Sequence, residues 1–135
     1  MKLKRVVVTG LGAVTPLGNN VKDTWNALIN GVSGAGPITH FDASLFKTQF
    51  ACEVKNFDPL QYFDKKEVRK FDLYAQYAIA AAKEGVADSN IDLEKVNKDR
   101  VGVIFAAGIG GIRTFEQEVG NYFMNASAGP KYNPF

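Results

Sequence analysis

The chain has 135 residues, 46% hydrophobic, 12% aromatic and 22% charged, the composition of a globular piece and not of a disordered one. Its formal net charge of +2 gives no ground for a general nucleic-acid binder, and no apolar run approaches the roughly 18–20 residues of a membrane span. A lone cysteine and a lone histidine exclude an internal disulfide and, without carboxylates or a second chain, a zinc site.

The basic start, Met1-Lys-Leu-Lys-Arg5, leads into a glycine-punctuated strand and not an apolar signal region, so the cytoplasm is the expected compartment. Val6-Val-Val-Thr9 is a continuous β-branched run, the pattern of a strand covered on both faces. Gly10 and Gly12 then permit a bend or close packing, and Pro16 and Gly18 close the segment. Asn20 is an N-cap for a helix whose apolar residues Val21, Trp25, Leu28 and Ile29 share a face, and Gly31 ends it. A glycine- and proline-bearing loop containing His40 leads to a second strand, Phe50–Val54. There Phe50, Cys52 and Val54 alternate with polar neighbours, which predicts a buried structural thiol. His40 has no base or thiol beside it in sequence.

Asp64-Lys-Lys-Glu-Val-Arg-Lys70 holds four of the chain's 16 basic residues. Read as a helix, it sets Lys66, Arg69 and Lys70 on one side, either as a solvated face or as a docking patch for an acidic partner. The next helix, predicted from Phe71 to about Ala87, includes Leu73–Ala82, where Gln76 is the one strongly polar residue. Such a helix is expected to be covered on most sides, with its alanines admitting close neighbours. After a turn at Asp88-Ser-Asn-Ile91, Val101–Ala107 reads as another buried strand, and Gly108-Ile-Gly-Gly111 opens a helix with Ile112, Phe115, Val119, Tyr122 and Phe123 on one face. The tail, 127–135, has no regular pattern. The order β-α-β-α-β-α predicts an α/β layered fold.

Two glycine turns between strand and helix raise a nucleotide-binding reading, which the spacing argues against. After Gly10 and Gly12 the third glycine of GxGxxG would fall at Thr15, where Pro16 disfavours helix. The Gly108 turn lacks the Lys-Ser/Thr pair of a phosphate loop. No cofactor and no metal is expected.

Taken together, VVVTGLGAVTPLG (6–18), Trp25-Asn-Ala-Leu28, Gly31-Val-Ser-Gly34, Phe41-Asp42, Lys66-Glu-Val-Arg-Lys70 and Gly108-Ile-Gly-Gly111 resemble the N-terminal part of the β-ketoacyl-acyl carrier protein synthases. The likeness is nearest to the type II condensing enzymes of bacterial fatty acid synthesis. It covers the whole chain, 1–135, and about the first third of such an enzyme. The resemblance implies a thiolase-like α/β/α/β/α sandwich, incomplete here, and a homodimer in the full-length enzyme. It implies an acyltransferase that condenses an acyl-enzyme thioester with malonyl-acyl carrier protein, through a Cys-His-His set lying downstream. No catalytic residue is therefore expected in 1–135, and Cys52 does not match the nucleophile's motif. Gly108 and Ile109 match the family's border of the acyl-chain pocket. Lys66, Arg69 and Lys70 match the basic helix that meets the acyl carrier protein, which makes docking the favoured reading of that run. A non-catalytic chain-length-factor subunit of a polyketide system shares the architecture and stays open as an alternative, as does an independent small binding domain.

Overall fold

The computed structural model describes residues 3–125. They form two compact units, one of residues 3–58 and Ile79–Gly102, the other of Pro59–Ala78 and residues 103–125. In chain order the elements are α1 (Val21–Ile29), β1 (Gly36–Pro37), β2 (Phe50–Ala51), α2 (Lys65–Val68), α3 (Leu73–Ser89) and α4 (Ile112–Met124), with 3-10 turns at Pro59–Gln61 and Lys98–Arg100.

In the first unit the opening segment lies against the C-terminal part of α3. A Cβ at Gly10 would stand 2.3 Å from the Gly85 carbonyl oxygen, and one at Gly12 1.9 Å from that of Ala81. Only glycine lets two backbones approach so closely. The same stretch of α3 supplies acceptors for the segment's unpaired amides. Asp88 Oδ2 takes the Leu11 N–H, and Glu84 takes those of Ala13 and Val21, each at 2.9 Å. Carboxylates four residues apart lie on one helix face, so one side of α3 does the work that a neighbouring strand would do.

Helix α1 begins and ends where its cap residues dictate. Asn20 accepts the Asp23 N–H at 2.7 Å through its side chain. At the other end Gly31, at φ +66°, donates to Leu28 O and Val32 to Ala27 O, the double closure of a Schellman motif. The apolar stripe of α1 is less covered than its pattern predicts, with Trp25 still 62% exposed. The β1–β2 ladder is antiparallel, pairing Gly36 with Ala51 and Pro37 with Phe50. Beyond it Glu53 gathers the Thr39 hydroxyl at 2.7 Å and the Thr39 and His40 amides. In the intervening loop Phe41 and Phe46 meet edge-on at 5.6 Å.

Three expectations need correction here. The strand read as Phe50–Val54 is a ladder of only Phe50–Ala51, and Cys52 is exposed, not buried. The alternation placed the thiol on an apolar face, but Phe50 and Cys52 on that face are exposed. Val6–Thr9 and Val101–Ala107 belong to no ladder among the described residues. Val6 is 92% and Ile104 95% exposed. A strand that is apolar on both faces needs paired edges and two covering layers, and the described residues supply neither.

In the second unit, Phe63 is buried and its ring lies 5.7 Å from that of Phe71. The predicted basic helix is a single turn, α2, and the long helix starts at Leu73 and runs two residues past the predicted Ala87 to Ser89. Asn90, at φ 51°, follows it in the left-handed region. Gln76 and Ala80 are the buried residues of α3, and most of their neighbours from 75 to 82 are half-buried. Helix α4 follows Gly111, at φ +70°. Its apolar face is as predicted in register but exposed, Phe115 at 69%. The tail read as irregular, 127–135, lies outside the described residues.

Candidate functional site

The basic segment is organised by its own carboxylates. Asp64 caps α2, its Oδ1 accepting the Lys66 and Glu67 amides at 2.7 and 2.8 Å, while Glu67 Oε2 accepts the Asp64 N–H. This reciprocal capping box turns both acidic side chains onto the backbone. Lys65, Lys66, Arg69 and Lys70 are all exposed. The turn presents its cations to solvent while both of its carboxylates, though exposed, are engaged by its own backbone.

Arg69 and Lys70 line a cleft of about 460 Å³ together with Phe71, Tyr74, Gly111 and Phe115. Two sequence motifs thus meet within one unit: the end of the basic run and the glycine turn before α4. The reason is steric. Gly110 lies under the Tyr74 ring, and a Cβ there would come within 2.8 Å of it. The Thr114 hydroxyl donates to Asp72 Oδ2, tying the first turn of α4 to the start of α3. Asp72 and Glu118 also line the cleft, so its lining is mixed in charge.

The remaining predicted residues lie apart from this cleft. Lys66 is exposed on α2, and Gly108 and Ile109 do not line the cleft. Among the described residues nothing stands within 4 Å of a Cβ built at Gly108, and Ile109 is 76% exposed. Among the described residues no three His, Cys, Asp or Glu side chains gather as a metal-binding group, and no helix is long and apolar enough to cross a membrane. His40 Nε2 lies 4.0 Å from Glu53 Oε1, a partner 13 residues away that its sequence neighbourhood did not reveal. The Thr39 hydroxyl and amide hold the Glu53 carboxyl below its ordinary value, with a smaller contribution from His40. Burial raises the Tyr77 phenol.

The cleft thus combines aromatic walls with both cationic and anionic side chains. Sequence reasoning missed Tyr74 and the Thr114–Asp72 bond, which have no local signature. It registered Gln76 as the polar exception in α3 without assigning it a role.

Comparison with known proteins gives a consistent picture. The family model described as Beta-ketoacyl synthase, N-terminal domain, matches residues 3–131. The chain is 47% identical over 136 residues to the 3-oxoacyl-[acyl-carrier-protein] synthase 2 of Coxiella burnetii, covering 100% of this chain and 32% of that protein. It is 42% identical over 118 residues to the protein of the same name from Synechocystis, covering 87% and 28%. Among solved structures, the ishigamide ketosynthase/chain length factor superposes with a TM-score of 0.72 at 28% identity, covering 95% of this chain and 32% of that one. A structure described as a type II PKS acyl-carrier protein in complex with its ketosynthase gives 0.70 at 26% identity, with 98% and 33% covered. The chain thus spans about a third of the length of the relatives it matches.

Proposed function

The chain belongs to the β-ketoacyl synthase family, and from that premise we propose that it serves as the N-terminal portion of a fatty-acid condensing enzyme. Its fold is a portion of the thiolase-like α/β sandwich of the ketosynthases. In the full polypeptide, an acyl group passes from its carrier to a cysteine thiolate outside the described residues. Malonyl-acyl carrier protein loses CO2, and its carbanion attacks the acyl thioester. A β-ketoacyl thioester two carbons longer forms, and the thiolate is released. The enzyme is an acyltransferase, acting as a cytoplasmic homodimer.

This portion contributes scaffold and recognition. Lys66, Arg69 and Lys70 receive the acidic acyl carrier protein, and Gly108 and Ile109 border the acyl-chain pocket. The observation that carries the docking reading is the outward set of cations on a turn whose two carboxylates are engaged by its own backbone. Such a patch acts through steering and orientation more than through raw affinity. The test is Arg69→Glu in the full-length polypeptide. The expected result is a rise in KM for carrier-linked substrate far larger than for a small thioester mimic, and equal effects on both would refute docking.

A second reading rests on the superposition with a ketosynthase/chain length factor structure. It makes this chain part of a subunit that shares the architecture without the nucleophile. The 47% identity to a 3-oxoacyl-[acyl-carrier-protein] synthase 2, against 28% to that structure, favours the condensing enzyme.

A further inference from the structure

Gln76 is the polar exception in an apolar stretch of α3, and it is 4% exposed. Its Nε2 donates to Phe71 O at 2.7 Å and to Val68 O at 3.2 Å. Those two carbonyls bracket Arg69 and Lys70 in the chain. Its Oε1 has no hydrogen-bond partner among the described residues. Burying an amide with one end unsatisfied is unfavourable, so the two donated bonds are what the residue contributes at this position.

They are needed because α2 is only four residues long, and a helix of one turn does not hold itself together in water. Its N-terminal end is secured by the Asp64–Glu67 capping box. At its C-terminal end Glu67 O takes the Lys70 and Phe71 N–H groups, and the Gln76 amide supplies a donor to Val68 O, the last carbonyl of α2. Aliphatic side chains in the same place would fill the space and leave Val68 O and Phe71 O unpaired by α3.

We propose that Gln76 is a positioning residue for docking: it fixes the backbone carrying Arg69 and Lys70 so that both cations meet an anionic partner together. The inference rests on the docking reading above and adds a residue that never touches the partner. It accounts for a polar side chain in a helix face otherwise built for close packing.

The experiment uses the full-length polypeptide with Gln76→Met, which keeps length and loses both donors. Gln76→Glu, which cannot donate when ionised, covers the case where methionine repacks the turn, and Arg69→Glu is the reference. Affinity for an acidic acyl carrier protein, amide hydrogen exchange over residues 68–71, and turnover of a small thioester are measured on each. The expected result for both Gln76 variants is faster exchange over 68–71 and carrier affinity about five- to tenfold weaker, the scale of one lost hydrogen bond. Small-thioester turnover changes far less. If Arg69→Glu weakens carrier binding and neither Gln76 variant does, the positioning role is overturned while docking stands. If none of the three weakens it, docking fails and the positioning role fails with it. Equal losses for carrier binding and small-thioester turnover in the Gln76 variants would mean general damage to the fold and would also overturn the role.

Discussion

Glu84 on α3 accepts the backbone N–H of Val21, the first residue of α1, at 2.9 Å. Its other carboxylate oxygen takes the Ala13 N–H at the same distance. One side chain thus joins three stretches of chain: the glycine-bearing opening segment, the start of α1 and the last turns of α3. Hydrogen bonds to an ionised group are worth more than neutral ones. Glu84→Ala should therefore lower stability by about 2–3 kcal/mol and Glu84→Gln, which keeps one acceptor, by about 1–2 kcal/mol. Urea denaturation midpoints at constant slope check this, and equal losses for the two variants would contradict the two-acceptor account.

The backbone crossing makes an asymmetric prediction about its two partners. A Cβ at Gly12 would stand 1.9 Å from Ala81 O, whereas one at Gly85 would come no nearer than 3.4 Å, to Gly12 N. Gly12→Ala should thus destabilise by about 2–3 kcal/mol through forced separation of the backbones. Gly85→Ala should be neutral or stabilise by about 0.5–1 kcal/mol, the difference between glycine and alanine in a helix interior. Thermal or urea unfolding of the pair measures the contrast.

Acid should loosen the loop that β1 and β2 close. Bonds from Thr39 hold the Glu53 carboxyl below its ordinary 4.5. A carboxylate whose folded value is depressed contributes stability above its unfolded value and loses it as pH falls through the folded one. The Thr39 and His40 amide resonances should therefore shift together as pH is lowered below about 4.5. Glu53→Gln should abolish that transition, and an unchanged titration in the variant would assign it elsewhere.

Ile109 tests the acyl-pocket assignment. Ile109→Phe adds bulk at the proposed border and should shorten the longest acyl chain accepted, since extra volume in a filled pocket costs about 1–3 kcal/mol. Product chain lengths read by mass spectrometry decide it, and an unaltered profile would remove Ile109 from the pocket.

Much of this was legible in the chain because the signals are local. Asn20 and Gly31 bound α1 by capping chemistry that needs no distant partner. Gly10 and Gly12 announced a close approach, which the crossing of the opening segment with α3 displays. What stayed hidden depends on long-range packing. The identity of the crossing partner, Gly85, and the carboxylates that serve Leu11, Ala13 and Val21 lie more than 60 residues away. Cys52 misled for the same reason. Alternation shows that one face is apolar but not that anything covers it, and β2 ends at Ala51. Likewise Arg69 and Lys70 announced a cationic patch, while the cleft beside them needed Tyr74 to fold onto Gly110.

The most direct test of the central claim is an elongation assay on the full-length polypeptide alone, supplied with an acyl-acyl carrier protein and malonyl-acyl carrier protein. A condensing enzyme releases CO2 and forms a β-ketoacyl-acyl carrier protein two carbons longer in equal amounts. No product alone, with activity appearing only when a separate ketosynthase subunit is added, would contradict the account and assign the chain to a non-catalytic partner.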